Sequence, residues 1–168
     1  HNDTRDGALL VVSHDLSHAV KPFEISAHLP RTAQALMDRW SEYQSELEAM
    51  YTQLNRGELS SAFAVDPKQL HSLIPRAYAW IDGSAYINHI VLVRKARGAE
   101  PPATLKTDPL VYQGGSDTFL APRADIPLAD LSWGCDFEAE IAVVMDDTPQ
   151  GVQPEEVGQY IRLVMLCN

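Results

Sequence analysis

The chain of 168 residues is poor in cysteine, in basic residues and in long apolar runs. Its two cysteines, Cys135 and Cys167, both sit in apolar stretches. They are too few for a disulfide framework and suit a reducing, cytoplasmic setting. Lysine and arginine number 13 against 23 acidic residues, a net charge of −10. A surface of that sign repels phosphate backbones, which argues against nucleic acid as a partner. It leaves room for an anionic small substrate if a cation sits in the pocket. No apolar run approaches the roughly 18 residues of a membrane span, so no membrane partner is expected. No basic segment runs into an apolar stretch as in a signal peptide, and the phosphate-loop pattern G-x-x-x-x-G-K-[ST] does not occur. What is present is ordinary globular composition, 45% hydrophobic and 21% charged. A chain of this length buries roughly 70% of its unfolded surface without help from a metal or a disulfide.

Patterning divides the chain near Pro75. Thr4-Arg5-Asp6-Gly7 reads as a hairpin turn leading into an apolar strand over 8–12. Residues 8–13 and 18–26 read as an antiparallel pair around His14-Asp15-Leu16-Ser17. Leu36, Met37, Trp40, Tyr43, Leu47, Met50, Tyr51 and Leu54 recur at three- and four-residue steps. They predict one long helix over 32–55, stopped by Arg56-Gly57, with Asp38, Glu42, Glu46 and Glu48 on its solvated face. Asp66-Pro67-Lys68-Gln69 caps a short helix. Beyond Pro75, strand-like pieces at 76–81, 86–93, 109–113, 117–120, 135–145 and 161–167 alternate with turns, and a short helix is expected over 154–160. The reading is α+β: an N-terminal α+β segment over 1–74, then a β-rich segment over 75–168. A turn at Thr4 calls for a strand before it, and the strand at 161–167 ends without a turn, so the expectation is part of a longer protein.

Three clusters carry candidate chemistry. In Asp136-Phe137-Glu138-Ala139-Glu140-Ile141-Ala142-Val143-Val144 the alternation of a strand points Glu138 and Glu140 the same way. Like charges that close raise each other's pKa or require a counter-charge. A hard divalent cation such as Mg²⁺, Mn²⁺ or Ca²⁺ meets that need, and so does bulk water on an edge strand. The second cluster is Trp80-Ile81-Asp82-Gly83-Ser84-Ala85-Tyr86-Ile87-Asn88-His89. Asp82-Gly83 marks a turn, Asp82 is a possible third carboxylate ligand, and His89 is a candidate general base. The third is Leu110-Val111-Tyr112-Gln113-Gly114-Gly115-Ser116-Asp117, whose glycine pair suggests a tight turn or a close backbone approach to a ligand. Arg94, Lys95 and Arg97 form the basic cluster of this acidic chain, suited to a substrate carboxylate or to a solvated strand edge.

Together DFEAEIAVV, the later RLVMLCN, WIDGSAYINH and LVYQGGSD resemble the fumarylacetoacetate hydrolase family, over about residues 75–168. The resemblance implies a β-rich mixed-sheet roll, a divalent metal on Glu138 and Glu140, and His89 as the water-activating base. It places Asp82 on a further metal-binding position of the fumarylacetoacetases and Tyr112 against the substrate, with Arg94 or Arg97 near the substrate-binding arginine. It implies that a further Asp ligand would follow Asn168, and that a catalytic Lys and a partner carboxylate come later still. Decarboxylase-type relatives carry a Glu three residues after the His, where this chain has Leu92; that departure favours the fumarylacetoacetase-like branch. The implied reaction is hydrolysis of a carbon–carbon bond in a 1,3-diketo acid, giving fumarate and acetoacetate in aromatic amino-acid catabolism. The implied assembly is a homodimer. The alternatives are another 2-oxo acid reaction on the same scaffold (decarboxylation, hydration or isomerisation) and a non-catalytic fragment that only folds or oligomerises.

Overall fold

The computed structural model describes residues 4–168. The turn at its start closes with the Gly7 N–H donating to the Thr4 carbonyl at 3.3 Å. The strand that such a turn calls for falls outside the described residues. Strands β1 (Val11–Val12) and β2 (His18–Val20) pair antiparallel, with Val11 opposite Val20 and Val12 opposite Ala19. In the turn between them the Asp15 carboxylate accepts from the Ser13 hydroxyl at 2.6 Å, and from the Ser17 hydroxyl and N–H at 2.7 and 3.1 Å. These donors hold its pKa well below the usual carboxylate range. The expected extension of β2 to residue 26 does not form. Pro22 instead opens α1 (Pro22–Ile25), because proline suits the first helical position and gives a sheet ladder no donor.

The long helix expected over 32–55 is two helices, α2 (Ala33–Met37) and α3 (Trp40–Asn55). Thr32 caps α2, its hydroxyl accepting from the Ala35 N–H at 3.2 Å. The break falls at Arg39, whose backbone (φ −143°, ψ 39°) leaves the helical region. Its guanidinium reaches forward to Glu42 and lies 5.2 Å from the centre of the Tyr43 ring. The predicted stop holds: Gly57 sits at φ +70°. Its N–H donates to the Leu54 carbonyl and that of Glu58 to the Gln53 carbonyl, both at 3.0 Å. β3 (Phe63–Ala64) adds to β2 in the order β1-β2-β3. α3 packs across β1 and β2, and Tyr43, Met50 and Leu54 are buried with Leu9, Val20 and Leu36 as the core.

Asp66 caps as predicted, accepting from the Lys68 N–H at 3.0 Å, but the element is a single 3₁₀ turn over Pro67–Gln69. β4 (Ile81–Ser84) follows, so the strand expected over 76–81 starts only at its last residue, and Asp82-Gly83 lie inside it rather than in a turn. The strand expected over 86–93 is a helix, α4 (Ile87–Ala96). The run Ile90-Val91-Leu92-Val93 has no alternation, and a short continuous apolar run does not by itself separate strand from helix. The end signals decide it. Arg94 and Lys95 occupy the last turn, and Gly98 stands at φ +63°. The Gly98 N–H donates to the Lys95 carbonyl at 3.1 Å and the Ala99 N–H to the Arg94 carbonyl at 2.9 Å, the same left-handed stop as at Gly57. β5 (Leu110–Gln113) pairs antiparallel with β4, residue against residue, from Ile81 and Gln113 to Ser84 and Leu110. That ladder overrides the turn preference of Asp-Gly. No strand forms over 117–120.

β6 (Glu140–Met145) and β7 (Ile161–Cys167) make an antiparallel pair with a bulge at Val144/Met145. The acidic start of the strand expected over 135–145 stays outside the ladder, since β7 ends at Cys167, opposite Glu140. Residues 154–160 form turns and a 3₁₀ turn over Val157–Tyr160 instead of a helix. Arg162 braces the hairpin, its Nε and Nη2 donating to Asp146 Oδ2 at 2.8 and 2.5 Å. Both cysteines, expected in apolar surroundings, are exposed. The class is α+β, helices with small antiparallel sheets. Two compact units divide the chain: one holds the chain up to Leu73 with Leu120–Asn168, the other is Ile74–Phe119. No helix among the described residues is long and apolar enough to cross a membrane.

Candidate active site

The unit Ile74–Phe119 carries five of the candidate residues on three elements. Asp82 and Tyr112 stand directly opposite one another across β4 and β5. Opposed residues share a face with their Cβ atoms about 4.5–5.5 Å apart, so a carboxylate and a phenol are side by side. The next opposed position is Trp80 with Gly114. The Trp80 carbonyl accepts from the Gly114 N–H at 2.9 Å and from Gln113 Nε2 at 3.2 Å. The two-residue period of a strand puts Trp80 on the face of Asp82 and Gly114 on that of Tyr112. A Cβ added to Gly114 would stand 1.9 Å from Trp80 Cε2. The close approach expected at the glycine pair is therefore made to the indole. That indole lies 5.6 Å from the Tyr112 ring and 6.0 Å from the Phe119 ring, centre to centre.

His89 occupies the first turn of α4 and is exposed. Helical residues advance about 100° each, so Arg94, five residues on, lies about 140° around from His89, and Arg97 follows the helix as its C-cap. The basic cluster is thus a helix end rather than a strand edge. Three residues after His89, Leu92 presents an exposed aliphatic side chain at 57% and no carboxylate.

Glu138 and Glu140 belong to the other unit. Glu140 is the first residue of β6. Glu138 lies before the ladder, its N–H donating to Asn168 Oδ1 at 2.5 Å, which ties it to the end of β7. Both side chains are exposed. In donor type, Asp82, Glu138 and Glu140 suit a hard divalent cation, since all three are carboxylates. Among the described residues no three His, Cys, Asp or Glu side chains are grouped as a metal ion requires.

Two family models match the chain: fumarylacetoacetase N-terminal domain 2 over residues 1–76, and fumarylacetoacetate (FAA) hydrolase C-terminal over residues 79–168. The chain belongs to the fumarylacetoacetate hydrolase family. No curated protein matches it. Membership makes it a member of a superfamily of enzymes with hydrolase- and decarboxylase-type reactions, many of which use divalent metals. Within this family chain, Trp80 is the residue that the sequence reading passed over. Its signal was an aromatic residue and a glycine, 34 positions apart, that meet only once the register of β4 and β5 is known.

Proposed function

We propose that this chain serves in the hydrolysis of a carbon–carbon bond in a 1,3-diketo acid, fumarylacetoacetate to fumarate and acetoacetate. The observation that supports it best is the Asp82–Tyr112 pair on one face of β4–β5, in the unit that also carries His89 on α4. In this reading the His89 imidazole takes a proton from water as the water attacks a carbonyl carbon, work for which a neutral imidazole is suited near neutral pH. The carbon–carbon bond then breaks, its electron pair leaves as an enolate, and a proton delivered to carbon completes the second product. Tyr112 donates its phenolic hydrogen to the carboxylate end of the substrate. Arg94 or Arg97, at the end of α4, pairs with that carboxylate. Leu92 supports hydrolysis over the dyad-dependent decarboxylations, because it leaves His89 without a carboxylate one helical turn away.

The carboxylates proposed to hold a divalent cation (Mg²⁺, Mn²⁺ or Ca²⁺) are Glu138 and Glu140, just before and at the start of β6. When bound, such a cation supplies Lewis-acid stabilisation of enolate oxygens. The finer architecture proposed is the β-rich mixed-sheet roll, assembled as a cytoplasmic homodimer.

Two experiments test this. Loss of fumarylacetoacetate absorbance is followed with wild type and His89→Ala; a general base is worth about 10²–10⁴-fold, and unchanged turnover removes His89 from the mechanism. Mg²⁺ or Mn²⁺ is titrated calorimetrically into wild type and into Glu138→Gln/Glu140→Gln. Binding abolished by the double substitution supports the metal enzyme; equally weak binding by both supports a chain that only folds or oligomerises.

A further inference from the structure

We propose that Trp80 is a positioning residue, whose indole crosses the β4–β5 ribbon over Gly114 and sets where the Tyr112 ring stands beside Asp82. The proposal deepens the functional reading above and rests on it for the role of Tyr112. Three observations carry it. The Trp80 backbone is pinned, since its carbonyl accepts from both the Gly114 N–H and Gln113 Nε2. The path of the indole across the ribbon is the space left by a residue with no side chain, where a Cβ would meet it at 1.9 Å. At the end of that path it lies against Tyr112 at 5.6 Å, with the ring planes inclined at 57°.

The Tyr112 side chain is otherwise free to turn: residue 112 is 58% exposed and stands on a two-stranded ribbon. A large flat neighbour removes rotamers that point the phenol toward residue 114, so the remaining ones keep the hydroxyl on the Asp82 side of the face. Phe119, 6.0 Å from the indole, limits how far the indole itself can swing. A phenol held in one orientation loses less freedom when it binds a substrate carboxylate, so the effect belongs in binding rather than in bond breaking.

The test compares Trp80→Leu, Trp80→Phe and Gly114→Ala in the full chain. Trp80→Leu is expected to raise KM about tenfold, equivalent to one orientational contact, with kcat changed less than about twofold. Trp80→Phe restores part of the loss, because a smaller ring still leans on Tyr112. Gly114→Ala alters neither ring chemically, yet its new methyl displaces the indole and raises KM in the same way. A purely structural role would instead lower thermal stability and leave KM alone. Unchanged KM in folded Trp80→Leu and Gly114→Ala, alongside a raised KM in Tyr112→Phe, overturns the proposal. The Tyr112 ring-proton resonances give a readout that needs no turnover. The indole shifts them by its ring current, and Trp80→Leu should move them toward the values of a free tyrosine. Inactive wild-type protein whose Tyr112 resonances do move defeats the reaction and upholds the positioning contact. Resonances that stay put defeat the positioning contact whatever the activity.

Discussion

Residues 4–73 and residues 74–168 have similar apolar side chains and use them differently. Nine of the ten hydrophobic side chains buried among the described residues, from Leu9 to Leu54, lie in the first stretch, and the tenth is Ile90. The second stretch instead shows Leu131 at 85% exposure, Leu166 at 83% and Phe137 at 80%. In the first, α3 meets β1 and β2 within about one-third of the chain, so a three- and four-residue stripe and a two-residue alternation find each other locally. In the second, β4–β5 and β6–β7 are each two-stranded. A two-stranded sheet lacks the third strand or covering helix that normally buries its apolar face. An apolar pattern therefore reports an element that is able to bury a face, and the surroundings of that element decide whether it does.

The sharpest way to break the comparison is to truncate a leucine on each side of it. Leu54, 5% exposed in the core, should cost about 2–5 kcal/mol as Leu54→Ala, through lost transfer energy and the cavity left behind. Leu166→Ala should stay within about 0.5 kcal/mol, as at an exposed site. Urea denaturation of both variants measures the difference, and equal losses would mean that the β6–β7 face is covered in solution.

The helix stops sharpen it further, because Gly57 and Gly98 have the same left-handed geometry on the two sides. An alanine in that conformation costs about 1–2 kcal/mol. If the stop is a local device, Gly57→Ala and Gly98→Ala each lose about that much from the helix they end. Amide exchange of α3 and α4 reads each helix separately. A loss at Gly57 alone would show that α4 is not held by its own end.

The same contrast explains what the sequence made legible. The turn around Asp15, the stop at Gly57, the cap at Asp66 and the strands at 110–113 and 161–167 follow from side chains acting on backbone within a few residues. α4 was hidden because Ile90-Val91-Leu92-Val93 is apolar throughout and mostly β-branched, and only the end signals at Arg94, Lys95 and Gly98 argue for a helix. The break at Arg39 was hidden because the apolar stripe runs straight through it. In the candidate site, the residue types of Asp82, His89 and Tyr112 were legible. The Trp80–Gly114 contact was not, since it depends on a cross-strand register that no local signal specifies. Nor was the start of β6 at Glu140, which is decided by where β7 ends rather than by the acidic residues themselves.

The smallest expected effect separates two lowered carboxylates, one on each side of the comparison. Asp15 is held low by the hydroxyl of Ser13 and then by the hydroxyl and N–H of Ser17. Asp146 is held low first by the Arg162 guanidinium and then by the Asp147 N–H. Both folded-state values lie below the ordinary 3.8. Each therefore contributes stability that is fully present above that value and is lost as pH falls through the folded-state value. Salt is expected to distinguish them. The donors to Asp15 are neutral, whereas the partner of Asp146 is a partly exposed cation, a pair worth about 0–1 kcal/mol at most and screened over a Debye length of about 3 Å at 1 M. At neutral pH, raising salt to that level should speed amide exchange in β6–β7 and leave the β1–β2 turn unchanged. Asp146→Asn should speed the hairpin by the same factor and abolish its salt response. A salt response that survives Asp146→Asn would place the relevant charge elsewhere on the hairpin.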